Sequence, residues 1–190
     1  MRSSDRFTAE NAALLVVDVQ EKLIHRLRYG SLVIANSERL VRVARILQIP
    51  VFATEQYPKG LGPTVPSLAE FLSERPAKTT FHCAGAPGLV SRLNEAKVCH
   101  VTLVGIEAHV CVAQSALELL KLGFRVQVPA DAVASRSTFD WKFALRRLEH
   151  AGATVSSAEA VLFEWTECSD RDEFKAISAL VKDFVPPSLN

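Results

Sequence analysis

The sequence predicts an α/β protein of three layers, α/β/α, around a central, mostly parallel six-stranded sheet. Three observations carry this expectation. Short apolar runs alternate along the chain with longer segments of helical period, the punctuation of repeated strand-helix-strand units. The runs are apolar almost throughout, as strands covered on both faces are, and do not alternate with polar residues as a half-solvated antiparallel strand does. Acidic residues, Asp18, Glu55, Glu107 and Asp131, stand where the runs end, at the edge where open parallel sheets collect their ligands.

The first strand is expected over 12–17, where six apolar residues are cut off by Asp18. A helix follows over 31–47, then a strand over 50–54. The connection 55–76 contains Pro58, Gly60, Gly62, Pro63 and Pro66, a composition that suits an ordered loop over a site better than a flexible tether. Beyond it come a strand over 77–81, a helix over 87–97, a strand over 98–105, a helix over 110–122 and a strand over 125–128. Ser135-Arg136-Ser137 reads as the cap of a helix over 138–150, followed by a short strand over 153–155 and a helix over 171–184 ahead of Pro186-Pro187. No repeat, linker or low-complexity segment divides the chain, so one domain over 1–190 is expected.

Composition narrows the function. A chain of 190 residues, 48% of them hydrophobic, can bury a core without disulfide or metal staples. With 22 Lys and Arg against 21 Asp and Glu the net charge is +1, which gives no global field to draw in a nucleic acid or an anionic membrane. A dedicated nucleic-acid binder or nuclease is therefore disfavoured. The first apolar run is too short for a signal peptide or a membrane span and lies among Arg2, Asp5, Arg6 and Glu10, so a soluble, cytoplasmic protein is expected. The cysteines, Cys83, Cys99, Cys111 and Cys168, show neither C-x-x-C spacing nor paired histidines. That argues against a structural zinc and for reduced thiols.

Three residues have chemical potential. Cys111 stands where the apolar strand, having run through Gly105, turns into a helix. Free N-H groups and the partial positive charge of a helix start favour thiolate over thiol and can cradle an oxyanion. A buried structural cysteine is the competing reading. Asp18 is either the cap of the helical stretch after Val19 or a carboxylate that meets the cysteine from the neighbouring strand. Lys78 is either a solvated lysine at a sheet edge or a cation that stabilises negative charge beside Cys111.

Other features read as structural. His109 lies two residues before Cys111, a spacing that points the side chains apart, and His25, His82, His100 and His150 are scattered singly. Gly60-Leu61-Gly62 has Val65 where a dinucleotide fingerprint needs its third glycine, and neither a P-loop nor a G-x-S-x-G elbow is present. Trp141 and Trp165 are expected in packing or subunit contacts, and Arg136 is a further candidate for binding a substrate carboxylate.

The motifs Leu15-Val16-Val17-Asp18-Val19-Gln20, Thr54-Glu55-Gln56-Tyr57-Pro58-Lys59-Gly60-Leu61-Gly62, Lys78-Thr79-Thr80-Phe81 and Gly105-Ile106-Glu107-Ala108-His109-Val110-Cys111 resemble those of the isochorismatase-like cysteine hydrolases. The resemblance continues into 130–137 and is nearest to the small isochorismatase domain-containing proteins of undefined substrate. It implies a Rossmann-like sheet and an Asp18-Lys78-Cys111 triad: Cys111 as nucleophile, Asp18 as general acid and base, Lys78 as the positive charge. It further implies an oxyanion hole from the backbone N-H groups of Glu107 and Cys111, with a cis peptide at Ile106-Glu107. Gln20, Gln56, Leu61, Phe81 and Ile106 are expected to line the pocket for a small-molecule substrate. Metal-binding relatives carry an Asp-x-His pattern where this chain has Glu55-Gln56-Tyr57, so no metal or other cofactor is expected. A homo-oligomer is implied by the same resemblance. The expected activity is hydrolysis of a small amide or related C-N bond through a thioester, with vinyl-ether hydrolysis or a non-catalytic interaction module as the alternatives.

Overall fold

The computed structural model describes residues 6–187, so Arg2 and Asp5 lie outside the described residues. The first strand, β1 (Ala12–Val17), is buried along its whole length. Ala12, Leu14 and Val16 enter one hydrophobic layer, and Ala13, Leu15 and Val17 enter the other. This is the period of two of a strand sandwiched between helices, and it accounts for the unbroken apolar run. Next come α1 (Glu21–Ile24), α2 (Gly30–Ile46), β2 (Val51–Gln56), α3 (Pro58–Leu61), α4 (Pro66–Ala69) and β3 (Ala77–Lys78). A 3₁₀ turn (Cys83–Gly85), α5 (Leu89–Glu95) and β4 (His100–Ile106) lead to a π-helical turn (Ala108–Val112) that runs directly into α6 (Ala113–Lys121). After it come β5 (Arg125–Pro129), β6 (Val133–Ala134), α7 (Thr138–Ala151), β7 (Thr154–Ser156), α8 (Ala158–Thr166) and α9 (Phe174–Lys182).

The sheet runs in the order β3-β2-β1-β4-β5-β7, every ladder parallel. Among the described residues it has seven strands where six were expected. The seventh, β6, pairs with Gly105 and Ile106 of β4, whereas β5 pairs only with His100 to Thr102. One side of β4 is thus served by two strands in succession, and a two-residue strand leaves no run in the sequence to mark it. The strand expected over 77–81 pairs only at Ala77 and Lys78. Beyond it the carbonyls of Thr80 and Phe81 turn to the Lys78 ammonium.

Helices cover both faces. α2, α4, α8 and α9 pack on one, α5, α6 and α7 on the other. The unexpected α8 starts at Ser157, whose hydroxyl accepts from Ala160 N-H, and buries Ala158, Val161, Leu162 and Trp165. Trp165 is wholly enclosed, so of the two roles expected for it the fold shows packing. The connection after β2 is ordered as its composition implied: it carries α3 and α4, and Thr64 bridges back to Gln20.

The chain leaves β1 for β2 on one side, while β4 lies on the other, which makes the carboxyl end of β1 the crevice where ligands bind in such sheets. Gly105 lets the crevice close up. Its φ is +115°, and a Cβ there would lie 2.1 Å from the Val17 carbonyl oxygen, a clash that glycine alone avoids.

Candidate active site

Asp18 is the first residue past β1, held in the left-handed region at φ 52°, a conformation that Asp tolerates better than most residues. Its register neighbours follow from the ladders: Val17 stands opposite Thr54 on one side and Gly105 on the other. The capping alternative fails, because the residue before α1 is Gln20 and no side chain caps that helix. The Asp18 carboxylate turns instead to two polar partners: Oδ2 accepts from Lys78 Nζ at 2.7 Å and Oδ1 accepts from the Thr54 hydroxyl at 2.8 Å. Its charge also acts on the Cys111 thiol.

Lys78 is no solvated edge lysine: it is 3% exposed. Besides Asp18 its ammonium reaches Gln56 Oε1 at 2.7 Å and the carbonyls of Thr80 and Phe81 at 3.2 Å each. Four acceptors surround three protons. This holds the charge in place, as a buried ion pair requires.

Cys111 sits within the π-helical turn after β4, and the peptide between Ile106 and Glu107 is cis, as the resemblance implied. The Glu107 carbonyl accepts from Val110 N-H at 3.0 Å and Val112 N-H at 3.2 Å, passing over the N-H of Cys111 between them. The Ser115 hydroxyl donates to the Cys111 carbonyl at 2.6 Å and accepts from Cys83 N-H at 2.8 Å, tying the turn to the 3₁₀ segment.

The electrostatics correct one expectation. Burial pushes the Cys111 thiol well above its ordinary value, Asp18 pushes the same way, and Lys78 opposes them. The resting group is therefore the thiol, since Lys78 spends its charge on Asp18 and leaves the cost of desolvating a thiolate uncompensated. Cys83 is enclosed as well, and its thiol is pushed up to about 11, first by burial and then by Asp18. It lies 3.3 Å from the Thr54 hydroxyl. That hydroxyl gives its proton to Asp18, so the Cys83 S-H donates to Thr54.

Gln20 is fully buried, with Nε2 on the carbonyls of Gly62 (2.6 Å) and Gln56 (3.1 Å) and Oε1 on Gln56 N-H (2.8 Å). Gln56 gives Oε1 to Lys78 and donates Nε2 to the Thr79 carbonyl at 3.0 Å. These two glutamines therefore fasten the loop and the lysine. Ile106 is enclosed at the end of β4, Leu61 is half-buried on α3, and Phe81 is half-exposed beside Lys78. Glu55, where the metal-binding pattern would begin, accepts from Thr64 N-H and hydroxyl at 2.8 Å each and pairs with Arg75 at 3.4 Å. Among the described residues no group of three or more His, Cys, Asp or Glu could hold a metal ion.

His109 turns aside, its Nδ1 2.9 Å from the Ser135 hydroxyl. Ser137 caps α7, and Arg136 pairs with Glu107 at 2.9 Å. Trp141 donates to the carbonyls of Ala130 and Val133 beside an apolar cavity of about 650 Å³ that Phe139 also lines. None of Asp18, Lys78 and Cys111 lines that cavity. The sequence reading missed Thr54, Cys83 and Ser115. For Thr54 a signal existed, a hydroxyl closing an apolar strand, but its meaning depends on the register with Val17.

Residues 12–160 match the isochorismatase domain family. The chain is 40% identical over 189 residues to isochorismatase domain-containing protein 2 of Pongo abelii, covering 98% of this chain and 90% of that protein. To the rat protein of the same name it is 37% identical over 185 residues, covering 97% and 87%. Among solved structures it resembles the MAR1 ribonuclease of Caenorhabditis elegans, at TM-score 0.90 and 43% identity over 98% of this chain and 96% of the other. Strand order, the crevice at β1 and these likenesses over nearly the whole length agree, and the chain belongs to the isochorismatase family.

Proposed function

We propose that this protein is a metal-independent cysteine hydrolase that cleaves a small amide or related C-N bond through a thioester on Cys111. The observation that supports it most is the buried contact set of Asp18, one carboxylate bonded to a lysine ammonium and a threonine hydroxyl, with its charge acting on the buried Cys111 thiol. In this reading the Cys111 sulfur attacks the substrate carbonyl carbon as Asp18 takes the thiol proton. The oxyanion is stabilised by the N-H groups of Glu107 and Cys111. Collapse breaks the C-N bond, and the departing amine takes the proton from Asp18. Water, deprotonated by Asp18, then cleaves the thioester, releasing the acid and restoring the thiol. Lys78 holds Asp18 in place between these steps. A high resting thiol value suits this scheme, because the proton moves to Asp18 only when the carbonyl is in position to receive the sulfur.

The test is intact-mass detection of an acylated Cys111 across a panel of small amides, with Cys111→Ala as control. Acylation of the wild type alone is the expected result. A variant that keeps wild-type turnover would sink the acyl-enzyme. The ribonuclease name of the C. elegans protein favours one second reading, cleavage of RNA. Asp18, Lys78 and Cys111 are 1%, 3% and 7% exposed, which suits a small substrate better than a polynucleotide. RNA degradation that survives in the wild type and fails in Cys111→Ala would decide for the second reading.

A further inference from the structure

Glu107 combines two features. Its backbone belongs to the segment expected to supply the oxyanion donors, yet its side chain is a carboxylate in a residue 6% exposed. One oxygen, Oε1, accepts both from the backbone N-H of Arg136 at 3.2 Å and from the Arg136 Nε at 2.9 Å. A single residue thus grips the carboxylate with main chain and side chain. The grip is anchored because β6, which ends two residues before Arg136, is laddered to Gly105 and Ile106, the two residues before Glu107. The next residue back, Ser135, holds His109 of the π-helical turn at 2.9 Å. The Glu107 carbonyl in turn accepts from Val110 and Val112 on either side of Cys111. Arg136, Glu107 and the turn that carries Cys111 therefore form one connected unit, closed on the far side by Ser135 and His109.

We propose that Arg136 is a positioning residue for the hydrolysis described above: it fixes the orientation of the Glu107-to-Val112 backbone, and so the oxyanion donors, through the Glu107 carboxylate. The proposal rests on the hydrolase reading for its catalytic consequence, but the clamp has a signature of its own. The Arg136 side chain is 67% exposed, so its removal leaves the core intact, whereas the enclosed Glu107 carboxylate loses its charged donor and keeps only the Arg136 backbone N-H. The charge of Arg136 is spent on Glu107, which distinguishes this role from direct capture of a substrate carboxylate. A lysine has no Nε-H in a planar fork and cannot reproduce the bond, so Arg136→Lys should behave as a loss.

The experiment pairs two readouts on wild type, Arg136→Ala and Arg136→Lys. Amide hydrogen exchange at Val110 and Val112 reports the turn whether or not any substrate is turned over. Ammonia release from propionamide and from succinamic acid gives kcat and KM for a neutral and an anionic substrate. The expected result is faster exchange at those two amides in both variants, with kcat falling toward about 10²-fold for both substrates, KM little changed, and partial recovery of Arg136→Ala by added guanidinium. Unchanged exchange, or unchanged kcat in variants of an active enzyme, overturns the proposal. So does a KM rise confined to succinamic acid, which would make Arg136 a substrate contact. If wild type and Cys111→Ala release no ammonia while exchange quickens, the hydrolase reading fails, and with it the catalytic part of the proposal, leaving only a structural clamp.

Discussion

The two ends of the parallel sheet bury ionisable groups in opposite ways. At the carboxyl end Asp18 and Lys78 are both enclosed and form an ion pair at 2.7 Å. At the amino end of β4, His100 is 5% exposed and bonds through Nε2 to the Thr8 carbonyl at 2.7 Å, with its ring edge-on to Phe7 at 5.4 Å. Burial, helped by Arg125, pushes its pKa below the ordinary histidine value, so it is neutral in place. A buried charge must be paired or given up, and the molecule does each at a different end. Where charge is given up, the group is left with packing and one hydrogen bond. Where it is kept, a proton acceptor persists beside a thiol, and chemistry remains possible.

The contrast is broken most directly by turnover. Cys111→Ala and Asp18→Asn are expected to lower amide hydrolysis by about 10³-fold or more, whereas His100→Gln leaves it unchanged; steady-state ammonia release is the measurement. An active Asp18→Asn enzyme would make the carboxyl-end pair structural, like His100.

Stability gives the second test. Lys78→Met strands the buried Asp18 carboxylate without its cation, at a cost of about 3–5 kcal/mol in denaturant unfolding, and the Asp18→Asn/Lys78→Met double variant should recover much of it. Equal losses in the single and double variants would show that the charges do not depend on each other. Ser115→Ala is a smaller lesion. It leaves the buried Cys83 N-H without its acceptor and the Cys111 carbonyl without its donor, for about 1–3 kcal/mol in the same measurement.

The thiol itself reports the Asp18 charge. Because burial and Asp18 raise the Cys111 value, its alkylation by iodoacetamide in the wild type should climb only at pH above the ordinary thiol range. Removing the Asp18 charge should shift that profile to lower pH, each unit being about 1.36 kcal/mol, even as turnover is lost. The same profile in wild type and Asp18→Asn would mean that the carboxylate does not act on the sulfur.

Much of this was legible in the sequence because strands announce themselves by apolar runs and their ends by the residues that stop them. Asp18 and Cys111 follow such runs directly. Lys78 is harder, since its strand is two residues long and only the turned carbonyls of Thr80 and Phe81 explain why. Cys83 and Ser115 left no local signature, because they act across a contact between a 3₁₀ turn and a helix, and the hydroxyl that ends β2 at Thr54 has meaning only through its register with Val17. β6 was too short to see. The helix α8 could have been found from the capping Ser157 and the spacing of Val161, Leu162 and Trp165, but its generally apolar composition masks the period. The thiol's electrostatics were misjudged for a related reason: Lys78 does lower the Cys111 pKa, but burial and the Asp18 carboxylate outweigh it, and burial and partners are properties of the fold.

The smallest expected effect belongs to the amino end. A histidine whose pKa is depressed on folding binds fewer protons in the folded chain than in the unfolded one, so its contribution to stability is fully present above the unfolded value of about 6.5 and is lost as pH falls below it. Below about pH 6.5 the unfolding free energy should decline by up to about 1.4 kcal/mol per pH unit from this group, until the folded-state pKa is reached. The hydrogen bond to the Thr8 carbonyl and, less, Glu164 oppose the shift and limit its size. His100→Gln keeps an N-H that can reach the Thr8 carbonyl and removes the titration, so its stability should fall less steeply below about pH 6.5 than that of the wild type. Denaturant midpoints across that range check it. Parallel slopes in the two proteins would mean that His100 does not titrate differently on folding, and the sheet's amino end would then need some other account of how it tolerates a buried imidazole.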